Sequence, residues 1–175
     1  MPVSAVSELE GLVQGMVKRG EKLDTGHLKK VAETVSRIFS VKTDEVAILS
    51  LTPDRRFLFF HVPEELKSVG QIPLTSATAL AARTLREKRP EVINRFNIVP
   101  HASVFESVPL KEERGEPIQK IMSVPILKGH DAIGVLQISR KARNPADVTE
   151  FSPLDLKQLV SVAAFVAPAL ALCTE

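Results

Sequence analysis

Residues 121–140, IMSVPILKGHDAIGVLQISR, constrain the fold more than any other stretch of this chain. Two apolar runs of strand length, 121–127 and 132–139, flank Lys128-Gly129-His130-Asp131, whose Gly and Asp suit a turn with unusual backbone dihedrals. The pattern predicts a β-hairpin. Neither run alternates cleanly between apolar and polar: Met122, Val124 and Ile126 fall on one face, while Ile121, Pro125 and Leu127 fall on the other. Both faces therefore need cover. An antiparallel hairpin covered twice belongs at the centre of a sheet, with helices on one side and a second layer on the other.

Length and composition narrow what surrounds that hairpin. A chain of 175 residues accommodates one domain with some extra helix. An apolar fraction of 44% and a charged fraction of 25% are ordinary for a globular protein. With no Trp or Tyr, stacking on a ligand falls to the eight Phe. The net charge is +2 and the basic residues form short clusters broken by acids, without aromatic interleaving. This describes a solvated surface and not a nucleic-acid interface. The N-terminus lacks the basic-then-apolar layout of a signal peptide, and the longest apolar run, 162–173, is shorter than the roughly 18 residues that cross a bilayer. A cytoplasmic location without a membrane span is expected. Cys173 is the only cysteine, so no internal disulfide or cysteine-rich metal site is expected.

In chain order, Val6, Leu9, Leu12, Val13, Met16 and Val17 have the spacing of one helix face over 4–19. Asp24 or Thr25 then caps a second helix carrying Leu28, Val31, Ala32, Val35, Ile38 and Phe39. Strands are expected over 45–51 and 57–62 around the turn Thr52-Pro53-Asp54-Arg55-Arg56, with a short edge strand over 71–74. A further helix is expected over 75–88. The segment 94–111, NRFNIVPHASVFESVPLK, is apolar and irregular, and long connections of that kind are more often functional than simple linkers. Ser152, Pro153 and Asp155 form a strong helix start. That last helix is apolar nearly all round over 162–172, so one packed face cannot account for it. Pro168 is expected to kink or end it.

The residues IQKIMSVPILKGHDAIGVLQI at 118–138 resemble the strand, turn and Ile-Gly-Val-Leu strand of the GAF domain family, and 151–170 resembles the Phe-Thr-x-x-Asp start of that family's last helix. The likeness covers about 26–172. It implies an α+β fold: a central antiparallel sheet of about six strands, the N- and C-terminal helices on one face, and a helix plus an irregular lid over a pocket on the other. Within it, Pro125 is expected to end pairing and Gly134 to permit close approach across the sheet. Residues 1–24 would be a helical extension and 25–175 the domain. The resemblance implies a non-catalytic sensor binding an unidentified small organic ligand between the sheet and 94–111, with an output partner elsewhere. The alternatives are a dimerisation module with a vestigial pocket and, more weakly, a cyclic-nucleotide-binding domain, since Asn94-Arg95-Phe96-Asn97 only echoes that subgroup's signature. GAF-type sulfoxide reductases need pocket cysteines, which are missing from the pocket segments here.

Several residues are candidates for the site. Thr75, Ser76 and Thr78 gather hydroxyls and free amides at one helix start, suited to a phosphate or carboxylate or simply to capping. Phe96, His101, Phe105 and Ser107 offer stacking and hydrogen bonds to a ligand, or else the phenylalanines fill the cavity as core. His61 is placed to reach the pocket or to be a satisfied strand-end histidine. The four histidines have no paired spacing on one element, so neither metal nor cofactor is expected. A homodimer through the terminal helices is expected, with Val6, Leu9, Val13, Phe165, Val166 and Leu170 at the contact.

Overall fold

The computed structural model describes residues 4–20, 22–67, 70–96 and 117–173. Helix α1 (Ala5–Lys18) starts at Ser4, whose Oγ accepts from Ser7 N at 3.1 Å. Helix α2 (Thr25–Phe39) starts at Asp24, whose carboxylate accepts from His27 N while the His27 ring returns to the Asp24 amide. Each cap satisfies amides that the first turn leaves without partners.

Strands β1 (Val46–Leu51) and β2 (Phe57–Val62) form the first hairpin, and β3 (Ile72–Pro73) lies at its edge. Helix α3 (Leu80–Glu87) and strand β4 (Glu91–Ile93) follow. Strands β5 (Ile118–Lys128) and β6 (Asp131–Lys141) make the long central hairpin, and helix α4 (Pro153–Ala171) closes the fold. The six strands run in the order β3-β2-β1-β6-β5-β4, with every pair antiparallel. The predicted hairpin is longer than its apolar runs, and its loop is the two residues Gly129 and His130, with Gly129 at φ 63°. Leu127, expected on a covered face, is exposed at the tip beyond a register shift.

Both faces are covered, as the lack of alternation requires. On one side Val46, Ile48, Met122, Val124, Ile126, Leu136 and Ile138 pack with α1, α2 and α4. On the other Ala47, Leu49, Leu58, Phe60, Ile121 and Val135 pack with α3 and Phe96. Gly134 does what was expected of it: a Cβ there would stand 2.3 Å from Leu49 O and 2.6 Å from Leu170 Cδ2.

Four expectations are corrected. Pro125 does not end pairing; it sits opposite Val135, and β4 reaches only to Ser123, so β5 has one partner there and tolerates a residue without an amide. The helix expected over 75–88 begins at Leu80, because Leu74 O and Ser76 O are held in a turn by the Arg86 guanidinium. Pro168 does not end α4, which continues to Ala171. The apolar girth of α4 is met in part within one copy, by the sheet on one side and α1 on another, while Val160 stays exposed. Leu9, Val13, Val166 and Leu170, expected at a dimer contact, are buried in that shared core, while Val6 and Phe165 remain half-buried. Helix α4 is long and apolar enough, by length and composition, to cross a bilayer, but core helices meet the same description, and Leu159, Val162, Val166 and Leu170 face the interior here.

Candidate functional site

The α3 face of the sheet holds polar groups in an apolar layer. Ser123 on β5 and Gln137 on β6 are register partners, and both are fully buried. Thr84, from the middle of α3, reaches down to them. The Thr84 hydroxyl donates to Leu80 O at 2.9 Å, so the Ser123 hydroxyl, 2.7 Å away, donates to Thr84 Oγ1. Ser123 Oγ in turn accepts from Gln137 Nε2 at 3.1 Å. The donors run in one direction, and among the described residues Gln137 Oε1 is left buried without a partner. An unpaired buried acceptor costs about 1–3 kcal/mol. The apolar residues buried on the same face, Leu49, Phe60, Phe96, Ile121 and Val135 among them, carry no side-chain donor. Chemically this is an acceptor at the base of an apolar layer, matched by a neutral N–H or O–H.

The sequence reading missed these residues. Their signal is parity: Ser123 and Gln137 interrupt two apolar strands on the same face, and a polar residue in the middle of a doubly covered strand needs a reason to be there.

The predicted site residues are scattered. Phe96 is buried in the α3-side layer, in one apolar cluster with Phe60. Ser76 Oγ accepts from Ala79 N at 3.0 Å, a turn bond ahead of α3, whose N-cap residue Ala79 makes no side-chain cap, while Thr75 and Thr78 are exposed. His101, Phe105 and Ser107, with most of 94–111, lie outside the described residues. His61 is not on the pocket side. Leu58 and Phe60 face α3, so strand alternation turns His61 toward the helices, where its ring meets Thr25 Oγ1 at 3.4 Å and Ser50 Oγ at 2.9 Å. Burial, and secondarily the Lys67 charge, push its pKa down to about 4. Asn94 spends its amide on Phe151, accepting from the Phe151 N at 2.8 Å and donating to its carbonyl at 3.0 Å, which ties β4 to the start of α4. Cys173 lies beyond α4 on the helical side, and burial, aided by Asp24, pushes its thiol up to about 11. Among the described residues, no three His, Cys, Asp or Glu gather as metal ligands.

Comparison with solved structures returns the same architecture. The chain superposes on the GAF domain of an Acinetobacter phosphoenolpyruvate-protein phosphotransferase with a TM-score of 0.66 at 16% identity, covering 98% of this chain and 95% of that one. It is similar to residues 122 to 287 of a methyl-accepting chemotaxis protein (TM-score 0.68, 15% identity, 93% and 94% covered). It is also similar to the free methionine-R-sulfoxide reductase from Neisseria meningitidis, solved with its substrate (TM-score 0.66, 14% identity, 96% and 87% covered). At these identities the likeness is one of fold. A search of curated protein sequences found no match. The GAF domain family model matches residues 27–170, which takes in every strand and helices α2 to α4 but for their outermost residues. With sheet order, helix placement and family model in agreement, the chain belongs to the GAF domain family.

Proposed function

We propose that this domain is a non-catalytic regulatory module that binds a small organic molecule on the α3 face of its sheet, with the 94–111 segment as the further wall. The observation that carries this reading is Gln137 Oε1, a buried acceptor at the end of a one-way donor chain. A ligand N–H or O–H would complete the chain, and an apolar body would lie against Phe60, Phe96 and Ile121. GAF domains are generally regulatory. The solved neighbours include a chemotaxis receptor segment, which agrees with sensing, and a reductase, which argues the other way. Against reductase chemistry in this chain stands Cys173, which is on the opposite face with a thiol hard to ionise. The cyclic-nucleotide alternative is weakened because Asn94 is already engaged by Phe151.

The test is a thermal-shift screen of a metabolite library followed by native mass spectrometry, run on the natural chain and on Gln137→Leu. A bound compound lost from Gln137→Leu is the expected result. Binding that is equal in both, or no bound compound at all, overturns the reading.

A second reading, a homodimer module, is favoured by a groove of about 300 Å³ between α1 and α4, lined by Val13, Val17, Ala164, Phe165 and Pro168. Exposed Val17 and Val160 extend its apolar surface. A clean monomer by light scattering at micromolar concentration would refute it. The output partner and a cytoplasmic setting belong to either reading.

A further inference from the structure

The helical face of the sheet holds a second polar line that the proposed function leaves unused. Lys67 Nζ donates to Thr25 Oγ1 at 2.8 Å. An ammonium only donates, so the Thr25 proton is left for His61 Nδ1, 3.4 Å away. Nδ1 is then the acceptor, and Nε2–H donates to Ser50 Oγ at 2.9 Å. A neutral ring agrees with the downward shift of the His61 pKa caused by burial. Each link fixes the direction of the next. The line ends at Ser50, whose oxygen already accepts and whose own proton the line does not use.

Ser50 opens onto a cavity of about 460 Å³ between the end of α4 and the β1–β2 hairpin. Leu51, Phe59, Ile133 and Leu170 give it apolar walls, and Lys128 and Cys173 stand at its border. The end of α4 would ordinarily repel an anion. Here three carbonyls at that end are engaged: Ala169 O accepts from Leu172 N, Leu170 O from Cys173 N, and Leu172 O from Leu23 N, at 3.1, 3.1 and 3.2 Å. What the cavity offers is one hydroxyl proton, one ammonium and an apolar floor, on the face opposite Gln137.

We propose that this cavity binds a small organic acid with a compact apolar body, its carboxylate accepting from Ser50 Oγ and Lys128 Nζ and its body lying on Phe59, Ile133 and Leu170. Such a ligand acts where the connection between α1 and α2 is held against the end of α4. Leu23, between α1 and α2, bridges to Cys173, which borders the cavity. Occupancy therefore bears on the terminal helices, independently of any ligand on the α3 face.

The probe is benzoate, titrated into the full ¹⁵N-labelled chain, with benzamide as its uncharged counterpart. Expected are saturating amide shifts centred on Ser50, Phe59, Ile133 and Cys173. Lys128→Gln, at an exposed site that cannot unfold the chain, weakens benzoate at least fivefold and leaves benzamide within twofold. Ser50→Ala weakens both at least fivefold, and Gln137→Leu alters neither. Shifts that do not saturate or that map to another surface overturn the proposal, as does benzoate binding unchanged in Lys128→Gln.

Discussion

Gly134→Ala tests the tightest contact in the fold. The added Cβ would meet Leu49 O at 2.3 Å and Leu170 Cδ2 at 2.6 Å. Ordinary carbon–oxygen contact is about 3.3 Å or more, so β1 would have to retreat from β6 by roughly 1 Å. The Leu49 carbonyl belongs to a central strand and cannot swing away as a side-chain tip can. Leu170, a buried residue of α4, borders the cavity beside Ser50 and its side-chain tip can give, so the backbone contact decides the cost. Overpacking of this kind costs about 1–3 kcal/mol, and a backbone wall on a central strand places it at the upper end. The stiffer unfolded chain returns about 0.4–1 kcal/mol. The net expectation is a loss of about 2–2.5 kcal/mol, or about 4–10 °C in Tm for a chain of this length. Urea unfolding should show a lower midpoint with an unchanged slope. Gly11→Ala is the matched control: Gly11 is in α1 with nothing within 4 Å of its would-be Cβ, so the same change should stabilise by about 0.5–1 kcal/mol. A Gly134→Ala protein as stable as the natural chain would refute the reasoning.

Three further outcomes follow from single residues. His61 has a folded pKa below its unfolded value, about 4 against 6.5, so its neutral form supports the fold above pH 6.5, and stability falls as pH drops toward 4. The loss at pH 5 is about 2 kcal/mol, and Tm measured from pH 7 to pH 5 should fall less steeply in His61→Gln; parallel slopes would contradict the neutral-ring assignment. Glu45 is buried and accepts from Lys42 N at 2.8 Å and Lys141 N at 2.7 Å, so Glu45→Ala, which strands both amides, should cost about 3 kcal/mol in urea unfolding. Ser152→Ala removes the Asp155 amide's partner at 3.1 Å and should cost about 1 kcal/mol by the same measurement.

Much of the scaffold is legible because its signals are local. Asp24 with His27, and Ser152 with Pro153 and Asp155, bond within three residues of themselves, so capping can be read from spacing alone. Gly129 marks the hairpin turn because of its own φ. Where the reading failed, a distant residue decided. Thr75 and Ser76 look like helix caps, yet Arg86, ten and more residues on, holds that stretch as a turn. The girth of α4 invited a second copy of the chain, yet α1, some 150 residues earlier in sequence, covers part of it.

Alone, the sequence determined the doubly covered central hairpin, the starts of α2 and α4, the alternation of most strand residues, and hence the family. These follow from backbone dihedrals, capping and alternation, which act over a few residues. Only the tertiary structure decided which polar side chains meet. Thr84 and Ser123 are 39 residues apart and 2.7 Å from each other, and Thr25 and Lys67 are 42 apart at 2.8 Å. Whether a buried hydroxyl or amide is satisfied or left wanting depends on partners that only packing supplies, and for that reason neither Gln137 nor Ser50 was named until the fold had brought those partners together.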